Sequence, residues 1–235
     1  MKSRHMLFSG IAIAIIFIIG LVYIRGSELF NSTPTTANTA SSTNLHTDTL
    51  TLDQNISDGT IVINYPSSDF GLATNKTQIL VTSYIPPCDE GFGYCLYYKG
   101  AAYHGTNFES AGIRVQKRVD LAKEKQCLNT PPSGFDANTL PNKTNVANSY
   151  STSVFSNVGD AAAGHMASGS LYRLYIHDKN TCYEFETRIG QTQFANYPTG
   201  TIQEFTASDS EKIKTELKQI IDAISLPTKE HTLFP

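Results

Sequence analysis

The stretch LYRLYIH (171–177), DKN (178–180), CYEFETRI (182–189) carries the reading of the fold. Two runs rich in Tyr, Leu, Ile and Phe, each with period-two alternation, flank three turn-forming residues, which is the pattern of an antiparallel hairpin. Alternation along the second run places Tyr183, Phe185, Thr187 and Ile189 on one face, and Cys182, Glu184, Glu186 and Arg188 on the other. Arg173 on the first run is then in position to meet one of those glutamates across the hairpin, as a surface salt bridge.

Outward from the hairpin, further strands are predicted at TIVINY (60–65), QILVTSYI (78–85), GYCLYY (93–98) and GIRVQK (112–117). A final helix follows from Ile213, Leu217, Ile220, Ile221 and Ile224, which recur at the spacing of one helical face behind a capping box at Ser208–Glu211. That face is predicted to pack on the sheet, Pro227 to stop the helix, and residues 228–235 to trail as a loose end. A short helix is predicted over Val119–Gln126. Many strands with few helices make residues 49–227 one α+β domain, an antiparallel sheet sandwich with its C-terminal helix on the sheet.

Ahead of this domain, MLFSGIAIAIIFIIGLVYI (6–24) is nineteen overwhelmingly apolar residues. As a helix it spans about 28 Å, close to the hydrocarbon core of a bilayer. It is too long for a typical signal-peptide core and lacks a small-residue cleavage site, so residues 1–28 read as a cytoplasmic N-terminus and an uncleaved transmembrane anchor. Lys2 and Arg4 outweigh Arg25, which has Glu28 nearby, and this bias orients the chain with its C-terminal domain outside a cell membrane. Residues 29–48, dominated by Ser, Thr, Asn and Ala, bury too little apolar surface to fold and read as a flexible linker. The formal charge is −3 for the whole chain and more acidic once the basic anchor flanks are set aside, which argues against a nucleic-acid partner.

All four cysteines, Cys88, Cys95, Cys127 and Cys182, fall on the outward side of the anchor, where thiols oxidise. Two glycines between Cys88 and Cys95 allow a tight reversal, so the pairing expected is Cys88 with Cys95 and Cys127 with Cys182. The C-x6-C spacing lacks the ligand pattern of zinc, and no cofactor or metal is expected.

Two segments stand out as candidate sites. Phe92 and Tyr94 sit within the Cys88–Cys95 loop, where constrained aromatic rings suit binding. The run GDAAAGH (159–165) offers His165, with Asp160 as an orienting group and Ser168 or Ser170 as a nucleophile. A hydrolytic arrangement of that kind needs a strained turn such as G-x-S-x-G, which is absent, so no catalytic residue is assigned. The function expected is a non-enzymatic binding or interaction module. Its partners would be the membrane, through a single anchor, and an envelope protein or small ligand. The alternatives are an envelope hydrolase centred on His165 and a structural envelope subunit.

The element GTIVINYP (59–66), with Phe70 soon after, resembles the first hairpin of PsbP-like domains. GTNFE (105–109), GDAAAGH (159–165) and TCYE (181–184) resemble uncharacterised bacterial envelope proteins with one anchor and one such domain. The resemblance implies a fold and a cell-surface location and brings no activity with it.

Overall fold

The computed structural model describes residues 50–73, 93–227 and 233–234, all within the second of two compact units, Asp48–Pro235. The expected anchor, the linker, the expected strand at 78–85, Cys88 and Phe92 lie outside the described residues. Among the described residues no helix is long and apolar enough to cross a membrane.

A small antiparallel hairpin pairs β1 (Gln54–Ser57) with β2 (Val62–Tyr65). Its turn is made by Asp58, whose Oδ1 accepts the backbone N–H groups of Thr60 and Ile61 at 2.8 and 3.1 Å. The remaining strands are β3 (Phe70–Leu72), β4 (Tyr94–Tyr98), β5 (Phe108–Lys117), β6 (Lys143–Val146), β7 (Tyr150–Ala162), β8 (His165–Ile176) and β9 (Thr181–Thr192). They form one seven-stranded antiparallel sheet in the order β3-β4-β5-β9-β8-β7-β6. The expected hairpin is β8–β9, longer than its sequence signal at the open end, with Arg173 opposite Glu184 and Asn180 closing the turn in the left-handed region. Gly169 is obligatory in this pair, because a Cβ there would sit 1.9 Å from the carbonyl oxygen of Thr187.

Among the described residues two α-helices accompany the sheet. α1 (Glu124–Asn129) follows a single 3-10 turn at Val119–Leu121, in place of the continuous helix expected over 119–126, because the intervening Lys123 adopts an extended backbone. α2 (Ala207–Asp222) is capped earlier than expected. Thr206 Oγ1 accepts from the Asp209 N–H at 3.2 Å, and Asp209 Oδ2 accepts from the Thr206 N–H at 2.8 Å, so an aspartate serves where the sequence reading sought a glutamate. Ile213, Leu217, Ile220, Ile221 and Ile224 are all buried against the sheet with Phe185, Leu174 and Ile113.

The helix ends at Asp222, ahead of Pro227, and the chain turns back to exchange two backbone bonds between Ser225 and Val62. The tail is not loose at its described residues: Leu233 and Phe234 are buried, and the Phe234 ring meets Tyr172 and Phe185 edge-on at 5.5 and 5.8 Å. The burial of Leu233 and Phe234 rests on partners distant in sequence, which a reading of local composition does not show.

Inside the helix layer one group is out of place. Glu216 is buried, and its Oε2 has no hydrogen-bond partner among the described residues. Burial raises its carboxyl above the ordinary 4.5, and Asp69 adds to the rise while Lys212 opposes it. A carboxyl raised in the folded state favours folding below the unfolded value and withdraws that contribution as pH rises through the folded one. Glu216→Gln is therefore expected to be more stable than the parent at pH 7 and to lose that advantage by about pH 4. Urea unfolding at both pH values tests this, and a difference independent of pH would contradict it.

Candidate functional site

The two faces of the sheet differ in chemistry. Facing α2, β8 presents Tyr172, Leu174 and Ile176, and β9 presents Tyr183, Phe185 and Ile189. The opposite face carries Arg114 and Gln116 on β5, Arg173 on β8, and Glu184, Glu186 and Arg188 on β9. The pairing of Arg173 with a glutamate across the hairpin is present, but it is not a surface bridge. Arg173 Nη2 lies 2.5 Å from Glu184 Oε2, and the side chains are 1% and 3% exposed.

Glu184 also receives Arg114 Nη2 at 3.2 Å and Arg118 Nη1 at 2.6 Å, and Arg114 Nε donates to Glu186 at 2.8 Å. Burial pushes the Glu186 carboxyl up to about 7, against the pull of Arg114. Burial likewise lowers Arg188 to about 10, with Glu186 opposing. The cover over this face includes α1, whose Cys127 and Leu128 pack with Tyr175, Cys182 and Leu121. Arg173 Nη1 donates to the Cys127 carbonyl at 2.9 Å, tying the cluster to that cover. Every charge here is engaged with other protein groups, which is the arrangement of a structural core.

The cysteine reading holds where it can be followed: Cys127 and Cys182 form a disulfide with Cα atoms 5.7 Å apart. Cys95 is also disulfide-bonded, while its expected partner Cys88 lies outside the described residues. Of the candidate aromatic pair, Phe92 is likewise outside them. Tyr94 begins β4 opposite Val115 and packs half-buried against the core, its hydroxyl donating to the Ser57 carbonyl at 3.3 Å. It therefore covers the sheet instead of standing at a loop tip.

His165 begins β8, just after a tight turn in which Ala163 and Gly164 have φ of 52° and 82°. Its Nδ1 is 2.7 Å from Glu109 Oε1, and its side chain is half-exposed. The structure thus gives His165 a partner from β5 that spacing along the chain did not suggest. Gly159 and Ser168 are direct cross-strand neighbours, so the close visitor at this glycine is a strand.

A different serine and histidine meet elsewhere. Ser151 Oγ donates to Glu124 Oε1 at 2.5 Å, and His177 Nε2 is 3.0 Å from the same hydroxyl. His177 Nδ1 is 3.2 Å from the Asn148 carbonyl oxygen. Ser151 is wholly buried within β7 and its proton is committed to a carboxylate, so it is not displayed to a substrate as a nucleophile is.

Among the described residues, a concave feature lies on the α2 side. Two adjoining cavities of about 500 and about 470 Å³ run between α2 and the sheet and share Ser168, Glu211 and Lys214. They open where the in-phase series Ile176, Leu174, Tyr172 on β8 gives way to Ser170, Ser168 and Met166. Opposite Ser168 stands Gly159, which adds no side chain to the floor. The bulge between Phe155 and Val158, with Asn157 at φ 58°, brings Ser156 and Asn157 to the rim. Beyond Tyr172 the helix face meets Ser170 and Ser168, smaller side chains than those under the packed part of the helix, and the cavities lie over them. The serines substituted into an otherwise apolar phase were the signal available in the sequence. They were read there as a failed nucleophile motif.

Both lysines at the rim are paired with carboxylates, and Glu204 adds a further acid to the lining. Lys214 bonds Glu211 at 2.6 Å, and Lys218 pairs with Asp222. No group of three or more His, Cys, Asp or Glu able to hold a metal occurs among the described residues. Comparison with profiles of known protein families gives no match, and no curated protein is significantly similar in sequence.

Proposed function

We propose that this chain is a membrane-anchored extracytoplasmic binding module whose ligand site is the cleft between α2 and strands β7–β9. The observation that carries the reading is the hydroxyl-lined floor at Ser168 and Ser170, at positions where the packing of α2 called for apolar side chains. Binding sites are concave and place a few convergent polar groups within a mainly apolar surround, and Met166, Ile189 and Phe205 supply that surround. The apolar stretch 6–24 supports the anchor, and the Cys127–Cys182 disulfide supports an oxidising compartment outside the cytoplasm. The antiparallel sheet with its C-terminal helix supports a PsbP-like architecture as part of the same proposal.

A second reading, an envelope hydrolase, rests on the contact of Ser151 with His177 or on His165 with Glu109. The two readings part in one experiment. Backbone amide NMR spectra of the full chain, recorded against a fragment library, are expected to shift at Ser156, Ser168, Ser170, Gln191 and Ser210, with no turnover of ester, peptide or glycan substrates. Turnover that falls with Ser151→Ala or His165→Gln would replace the binding reading with the hydrolase.

A further inference from the structure

Resting on the cleft reading, we infer that the ligand is a neutral carbohydrate, a short stretch of uncharged glycan. The first argument is the kind of group left uncommitted. Ser156, Asn157, Ser168, Gln191 and Ser210 line the cavities, and no hydrogen bond among the described residues engages their side chains. Each hydroxyl offers one donor and two acceptor positions, and each amide offers two of each, so the set is bidirectional and uncharged. A sugar ring, in which every hydroxyl both donates and accepts, is the complement of such a set.

The second argument is charge. Lys214 and Lys218 are already paired with Glu211 and Asp222, and Glu204 adds a further carboxylate to the lining, so a phosphate or sulfate would have to displace one carboxylate and face the others. The third is the backbone. Gly159 is paired with Ser168, and Ser168 with Ile189, so the floor lies within the ladders of β7, β8 and β9 and offers no free edge for an extended peptide to join. Recognition here has to run through side chains, and the half-buried Met166 beside Ile189 and Phe205 gives the C–H face of a sugar a surface to rest on. No exposed aromatic platform lines the cleft, since Tyr172 and Phe205 are buried, so affinity for a single short glycan is modest.

The experiment uses the full chain in lipid nanodiscs, immobilised for surface plasmon resonance, with four probes: triacetylchitotriose, maltotriose, inorganic phosphate and the blocked tripeptide acetyl-Gly-Ser-Gly-amide. At least one trisaccharide is expected to bind saturably. Its Kd is expected to rise about tenfold or more in the double variant Ser168→Val with Ser170→Val, which removes two hydroxyls. Ser210→Ala, at a half-buried position in the first turn of α2 where alanine suits the helix, is expected to weaken the same binding, and Ser168→Thr, which keeps the hydroxyl, to retain it. Saturable binding of phosphate or the tripeptide but of neither sugar, lost in the double variant, overturns the ligand class and leaves the cleft reading standing. No saturable binding of any probe, or trisaccharide binding unchanged in both the double variant and Ser210→Ala, overturns the proposal and the cleft reading together.

Discussion

Replacing Glu184 by glutamine is expected to cost about 3–5 kcal/mol, a large fraction of the roughly 5–15 kcal/mol by which domains of this size are stable. The carboxylate takes Arg114, Arg118 and Arg173 at once, and two of those guanidinium groups are almost wholly buried. A neutral amide returns little of that Coulomb energy, and it leaves three arginines facing one another with Glu186 as the remaining buried carboxyl. Arg118→Gln, at the more exposed end of the cluster, is expected to cost about 1 kcal/mol or less. Urea unfolding of both variants decides the matter. A loss below about 1 kcal/mol for Glu184→Gln would mean that water or rearrangement satisfies the arginines, and the cluster would not be the core it is described as.

Removing the Cys127–Cys182 bond, as the double variant Cys127→Ala with Cys182→Ala, is expected to destabilise the domain by about 4 kcal/mol. The bond closes a loop of 55 residues, and the unfolded chain gains most from its release. Both sulfur positions are essentially inaccessible, so truncation also opens a small void between α1 and β9. This loss is not expected to add to that of Glu184→Gln, because Arg173 bonds both Glu184 and the Cys127 carbonyl. The check is a thermal melt of each single change and of the combination, with reductant added to the parent as a control. A parent whose unfolding is indifferent to reduction would contradict the expectation.

The sequence disclosed what is local and periodic. The β8–β9 hairpin, the apolar face of α2 and the long-range disulfide were legible because alternation, helical spacing and an even count of cysteines each act within a short stretch or on a short list of options. The burial of Glu184 was not legible. Period two assigns it a face, but only the return of residues 119–135, about fifty positions upstream, determines that the face is covered. Leu233 and Phe234 escaped for the same reason, since their partners Tyr172 and Phe185 lie far away in sequence. The cleft was half legible: Ser168 and Ser170 stand visibly in phase with Tyr172 and Leu174, and what they lacked was the knowledge that α2 lies across them. His165 drew notice on composition, yet its partner Glu109 comes from a strand that pairing, not proximity along the chain, brings near.

The two faces of this sheet also share one sense of temperature dependence. Apolar burial against α2 weakens as water cools, while the hydration that charged groups forfeit on burial loses its advantage as water warms. The arginine–glutamate layer is thus least costly to keep dry when hot, and the isoleucine layer is weakest in the cold. Both layers thus lose ground as water cools, so chilling works against the two faces of one sheet together.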